Sequence, residues 1–256
     1  MSKLEIHQFE AFSDNYGYLI HDDAAGVTAA IDTPDAPKIL GALEKTGWTL
    51  THILNTHHHP DHAGGNKELK AKFGCEIIGP QGEADKIPGL DRAVGEGDMV
   101  EFGTHKARVM DVPGHTLGHI AYYFGDDGAA FVGDALFALG CGRVFEGTPP
   151  QMWNSLKKLS QLPPATTVYC AHEYTQSNAR FAETIETSND ELRARVKEID
   201  ALRARGQRTV PTTIEMELAT NPFLRAAEVS LQRDIGMEGA DPVAVFTEVR
   251  KRKDNF

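Results

Sequence analysis

Cysteine is scarce in this chain. The 256 residues hold three, Cys75, Cys141 and Cys170, widely spaced and without a CxxC pair. That pattern argues against a disulfide framework and for reduced thiols in a cytoplasmic setting. Long apolar runs are missing as well. No stretch approaches the ~18 apolar residues of a membrane span, and the opening "MSKLEIHQFE" carries no apolar leader-like segment, so no membrane partner is expected. Positive charge is in deficit: 26 Lys and Arg stand against 37 Asp and Glu, a net charge of −11. This weighs against a nucleic-acid partner or an anionic membrane surface. There is no GxSxG nucleophile elbow, and there are no repeats or low-complexity linkers.

What is present is an ordinary globular composition, 41% hydrophobic and 25% charged, enough for one large domain or one domain plus a small one. Strand-like runs crowd the first 135 residues, among them "YGYLIHD", "VTAAID", "HILNT", "CEIIG", "KARVMDV", "IAYYF" and "AAFVG". Helical patterns interleave at 36–47, 66–74 and 150–162, the last opened by Thr148 and two prolines, and the strand "TTVYCA" follows at 166–171. After His172 the texture becomes helical: "QSNARFAETI", "DELRARVKEIDALRARG" and "DPVAVFTEVRKRK" predict three helices. The expectation is an α/β domain over 1–172 and a smaller helical domain over 173–256.

Residues 56–62 read "THHHPDH". Pro60 forbids a helix interior there and removes a backbone donor. The run follows the apolar "THILNT", so the histidines are expected on a loop leaving a buried strand, where α/β proteins place their chemistry. His57 and His59, at i and i+2 on an extended segment, can converge on one cation, while Asp61 and His62 serve a second. Imidazole suits zinc, iron and similar ions and carboxylate the harder ones, so the mixed set fits a pair of divalent metals. Further ligands must come from elsewhere, and His115 in "VPGHTLGH", Asp134 in "FVGDALF" and His172 in "YCAHEYT" each follow a strand-like run. Taken singly, each would be a structural histidine or a turn; the order HxHxDH, GHT, GD, AHEYT leaves little room for that.

On these residues the chain resembles the metallo-β-lactamase superfamily, and within it the glyoxalase II family, the hydroxyacylglutathione hydrolases. The closer marks are "DNYGYLI", "THHHPDHAGGN", "PGHTLGHIAYY", "GCGRVFEGT", "AHEYTQSN" and "RKRKDNF". The resemblance implies an αββα sandwich followed by a small C-terminal helical domain. It implies one metal on His57, His59 and His115, the other on Asp61, His62 and His172, and Asp134 bridging. His58 falls at a variable position and reads as a spectator; His119 reads as supporting or structural. Zinc leads among the two expected divalent ions, with iron or manganese as alternatives.

Two such ions can share a hydroxide as nucleophile, oriented by Asp61 and Asp134, so no side-chain nucleophile is required. A thiol of pKa ~8.5 leaves with little protonation, which favours a thioester over an amide where no separate general acid is evident. The implied reaction is hydrolysis of S-D-lactoylglutathione to glutathione and D-lactate, in methylglyoxal detoxification. Glutathione thioesters are net anions, and the resemblance assigns Arg143, Phe145, Tyr174, Arg250 and Lys253 to holding them. Some relatives carry Tyr where this chain has Phe145, which can only pack. A monomer is expected. The competing reading is a glutathione persulfide dioxygenase with a single iron, a group that generally lacks the helical extension.

Overall fold

Tyr16–Asp22 is buried along its whole length, a state open only to a strand covered on both faces. In the computed structural model, which describes residues 3–256, the chain divides into two units. The first runs up to Asp111 and includes Leu117–Gly133; the second is Val112–Thr116 with Asp134–Phe256.

The first unit contains a mixed six-stranded sheet in the order β1 (Glu5–Glu10), β2 (Tyr16–Asp22), β3 (Val27–Ile31), β4 (His52–Leu54), β5 (Glu76–Pro80), β6 (Arg92–Val94). β1 to β3 are antiparallel, and β3 to β6 run parallel. The parallel part needs crossovers, and α1 (Ala36–Thr46) and α3 (Asn66–Phe73) supply two of them. Ile39, Ala42 and Leu43 of α1 and Leu69 of α3 pack with Leu19, Ala30, Ile53 and Ile77 in one apolar core. The antiparallel ladder β7 (Met99–Phe102), β8 (His105–Asp111), β9 (Ile120–Phe124), β10 (Ala129–Gly133) faces the sheet's other side. The Tyr122 hydroxyl donates to the Asn55 carbonyl at 3.0 Å, and Tyr18 packs edge-on to Phe131. Helix layer, sheet and sheet are thereby stacked.

The second unit holds two short pairs, β11 (Leu136–Phe137) with β12 (Gly140–Cys141) and β13 (Thr167–Cys170) with β14 (Thr212–Thr213). Its helices are α4 (Pro149–Ser160), α5 (Thr175–Ile185), α6 (Asp190–Ala204), α7 (Ile214–Thr220), α8 (Val229–Asp234) and α9 (Pro242–Asp254). The start of α4 follows its sequence signal: Thr148 and Gln151 form a reciprocal capping box with Pro149 just inside.

Two expectations are corrected. After His172 there are five helices among the described residues rather than three, because α7 and α8 are too short to show a period. The histidine loop also ends in a helical turn, α2 (Pro60–Ala63). Pro60 occupies its first position, where the missing N–H is not needed and the fixed φ is already helical.

Candidate metal centre

β3 and β4 run parallel, so the residues after both reach the same rim. Asp32 follows β3; Asn55, Thr56 and His57 follow β4. Asp32 is the hub. Its carboxylate, 6% exposed, accepts from the Thr56 backbone N–H (2.7 Å), the Thr56 hydroxyl (2.7 Å) and His62 Nδ1 (2.8 Å). These bonds hold it at φ +58°, a left-handed conformation rare outside glycine.

The hub dictates tautomers. A carboxylate only accepts, so His62 Nδ1 carries the proton and Nε2 is left with its lone pair, 3.6 Å from Asp61 Oδ2. The Thr56 hydroxyl spends its proton on Asp32 and so accepts from His57 Nδ1 at 3.1 Å. His57 Nε2 is then bare and lies 3.1 Å from His59 Nδ1. Asn15 donates to Asp61 Oδ2 at 3.1 Å. Imidazole nitrogens and carboxylate oxygens crowded this closely suit a cation. Asp32, His57 and His62 offer donor atoms within 4.8 Å of one another, but the Asp32 oxygens are already engaged with Thr56 and His62, so it holds those side chains in place.

The second unit shows the same logic. Asp134 presents Oδ2 to His115 Nε2 at 3.4 Å and Oδ1 to His172 Nε2 at 3.3 Å. His115 Nδ1 donates to the Arg143 carbonyl at 2.9 Å, which leaves Nε2 without a proton facing the carboxylate. The donor set, neutral imidazoles and carboxylates, fits divalent metal ions.

The Phe145 ring, 62% exposed, sits 5.2 Å from His115, and Tyr174 stacks on His172 at 4.6 Å. Arg143 is exposed, whereas Arg250 is 6% exposed and donates to the Cys141 carbonyl (3.1 Å) and to Asp254 (2.8 Å). Lys253 is half-buried against the rings of Phe181 and Phe256. Burial, with the charges of Arg250 and Arg143, pulls its ammonium down to about 8. Lys251 and Arg252 are exposed. The three cysteines are free and buried, and burial pushes Cys141 up to about 11 and Cys170 to about 12, so neither is a thiolate nucleophile.

Sequence reasoning passed over Asp32, Thr56 and Glu83. Glu83, 2% exposed, accepts from the backbone N–H groups of His58 (2.6 Å) and Gly118 (3.1 Å) and so pins the histidine loop. Asp32 carried one signal, an acid ending an apolar strand just before Thr-Pro; Glu83 carried none. His119 stacks on His57 at 4.6 Å, and its ring is one reason position 133 is glycine: a Cβ there would lie 2.9 Å from it and 2.5 Å from Thr56 Oγ1.

A family model described as the metallo-beta-lactamase superfamily matches residues 23–172, and one described as the hydroxyacylglutathione hydrolase C-terminus matches 173–256. A hydroxyacylglutathione hydrolase of Hyphomonas neptunium is 58% identical over 99% of this chain and 98% of its own. That of Rhodospirillum rubrum is 56% identical over the full length of both. The chain belongs to the hydroxyacylglutathione hydrolases, within the metallo-beta-lactamase superfamily. Its fold is that superfamily's αββα sandwich followed by a helical C-terminal region. The crystal structure of ETHE1 from Myxococcus xanthus is similar at TM-score 0.67 and 27% identity, covering 97% of this chain and 98% of that one. Among the described residues, no helix of this family member is long and apolar enough to cross a membrane.

The His58 side chain faces Glu83 at 3.1 Å. His58→Ala is expected to leave kcat and metal content near wild type, because the backbone N–H held by Glu83 survives the change. Loss of metal in that variant, read by elemental analysis, would overturn the register of the motif.

Proposed function

We propose that this chain hydrolyses S-(2-hydroxyacyl)glutathione thioesters, S-D-lactoylglutathione foremost, as a cytoplasmic monomer. What carries the reading is 56–58% identity to hydroxyacylglutathione hydrolases over essentially the whole chain. The same likeness favours it over the persulfide dioxygenase. The working division is a catalytic domain over 1–172 and a helical substrate domain over 173–256, the limits at which the two family models meet.

In this reading His57, His59 and His115 would hold one divalent ion and Asp61, His62 and His172 the other, zinc in both, with Asp134 serving both. Such ions lower the pKa of water toward ~7 and polarise a carbonyl. The chain's own groups do the rest. Asp61 and Asp134 orient the attacking water and accept its proton, with Asn15 steadying Asp61. The departing thiolate needs no acid. Arg143, Arg250 and Lys253 supply positive charge for the glutathione carboxylates, and Phe145 and Tyr174 pack against the tripeptide.

The test is thioester hydrolysis by purified protein beside elemental analysis, before and after chelation. Activity that vanishes with the metal and returns with zinc is expected; no hydrolysis by metal-replete protein would sink the reading.

Lys253 gives the reading a pH signature. With its pKa at about 8, the ammonium is lost as pH rises through that value, and substrate KM should climb there with little change in kcat. Lys253→Arg keeps its charge and should flatten that limb, whereas Lys253→Ala should raise KM about tenfold or more at pH 7. The stability effect has the opposite sign. The unfolded value of ~10.4 lies above the folded one, so burying this cation weakens the fold below about pH 8, and the penalty fades as pH rises toward ~10.4. A KM that ignores pH between 7 and 9 would remove Lys253 from the substrate site.

A further inference from the structure

The hairpin β11–β12 joins Asp134 to Arg143, and it is built in a form it would not hold alone. A two-stranded hairpin is marginal in water. Its loop residue Leu139 also sits at φ +58°, which a non-glycine residue keeps only when its surroundings over-determine it. The surroundings here are Asn178 of α5, Glu217 of α7 and Asn221 just past the end of α7. Asn221 Nδ2 donates to the Phe137 carbonyl (3.2 Å) and the Gly140 carbonyl (3.0 Å). Asn178 Nδ2 donates to the Ala138 carbonyl at 3.1 Å, and the Leu139 N–H donates to Glu217 Oε2 at 2.9 Å. Position 140 must be glycine, since a Cβ would lie 2.4 Å from Asn178 Nδ2.

The clamp is itself held. Glu217 and Asn221 are fully buried, 2.8 Å apart, and Glu217 also pairs with Arg195 and accepts from Thr212. The Leu139 side chain is buried among Ala179, Ala182, Leu192, Val196 and Ile199 of α5 and α6. Downstream of the hairpin, the Arg143 carbonyl takes the His115 Nδ1 proton, and the Phe137 ring packs edge-on to His172 at 5.7 Å.

We propose that Glu217 and Asn221 are positioning residues: by clamping the hairpin from α7 and the residue just past it they fix where the Asp134 carboxylate and the Arg143 backbone and side chain sit. This rests on Asp134 and His115 being metal ligands, as argued above. The C-terminal helices then act on the metal ligands as well as on the glutathione end of the substrate.

The test is zinc affinity, measured by titrating apoprotein against a chromophoric chelator, beside Tm, circular dichroism and steady-state kinetics. Asn221→Ala is expected to keep its helical signal and to bind zinc about 10- to 100-fold more weakly, the usual cost of losing a group that orients ligands. Its kcat should fall as well. Leu231→Ala, a cavity at a buried α8 residue that makes none of the clamp's hydrogen bonds, should lower Tm with zinc affinity unchanged. If Asn221→Ala does not fold, Glu217→Gln, which keeps volume and an acceptor for Leu139, should show the same loss of affinity in milder form. Wild-type zinc affinity in both clamp variants, with only Tm reduced, would make the clamp purely structural and overturn the proposal. Equal loss of affinity in Leu231→Ala would overturn it too. The titration uses no thioester, so failed hydrolysis by wild-type protein would sink the proposed function and leave the clamp result standing. Wild-type protein that takes up no zinc overturns both.

Discussion

Asp134→Ala is expected to strip metal from the protein and to lower kcat on the order of 10²–10³-fold, the scale of losing a preorganised charged group at a reaction centre. The reason is the geometry of one carboxylate. Its two oxygens face two different imidazole nitrogens, 3.4 Å to His115 and 3.3 Å to His172. His115 Nε2 offers a lone pair, because its Nδ1 proton goes to the Arg143 carbonyl, so removing the carboxylate takes away the anion that would share a cation with it. Asp134→Asn separates charge from shape: it keeps the volume but turns one oxygen into an NH₂ that donates toward an imidazole, so it too should lose metal. Metal per chain and kcat for both variants, against wild type, are the measurements. Near-normal turnover with a full metal complement in Asp134→Ala would remove Asp134 from the centre.

The second large effect belongs to Asp32, which is not a proposed ligand itself but holds one, His62, at 2.8 Å. Asp32→Ala should destabilise the fold by several kcal/mol and weaken metal binding about 10- to 100-fold. The substitution strands three buried donors, the Thr56 N–H, the Thr56 hydroxyl and His62 Nδ1, at ~1–3 kcal/mol for each left unsatisfied. It also places alanine at φ +58°, where Asp or Asn is tolerated better. Two tautomers are released together, because His62 is oriented by Asp32 directly and His57 through Thr56. Asp32→Asn distinguishes the parts. It accepts the left-handed backbone and should fold, yet its amide cannot accept from both Thr56 and His62 in the same way, so metal affinity should still fall. Thermal melts give the first effect and zinc titration of apoprotein the second. An Asp32→Asn variant with wild-type affinity would show that the tautomers are set by something else.

Much of this molecule was legible along the chain because its signals are local. "YGYLIHD", "CEIIG" and "AAFVG" are strands within a residue of where periodicity puts them, and Thr148 with two prolines marks the start of a helix. The HxHxDH spacing, with GHT, GD and AHEYT following in order, pointed to divalent-metal chemistry without any structure, since ligand type and spacing are properties of sequence. The short elements were not legible. β11, β12, β14, α7 and α8 span two to seven residues, too few for a period to emerge, although Thr213 before α7 was a readable cap.

Fold class and the choice of chemistry were thus determined by the sequence, through hydrophobic periods and the hardness of the ligand atoms. Only the tertiary structure decided which nitrogen of His57, His62 and His115 is bare. That depends on Asp32, 25 residues before His57, and on the Arg143 carbonyl, 28 residues after His115. Such partners meet because parallel strands end on one rim and because a clamped hairpin brings its exit back beside Asp134. No local rule encodes them: a carboxylate or carbonyl becomes a histidine's partner only when packing delivers it to within about 3 Å, with water excluded.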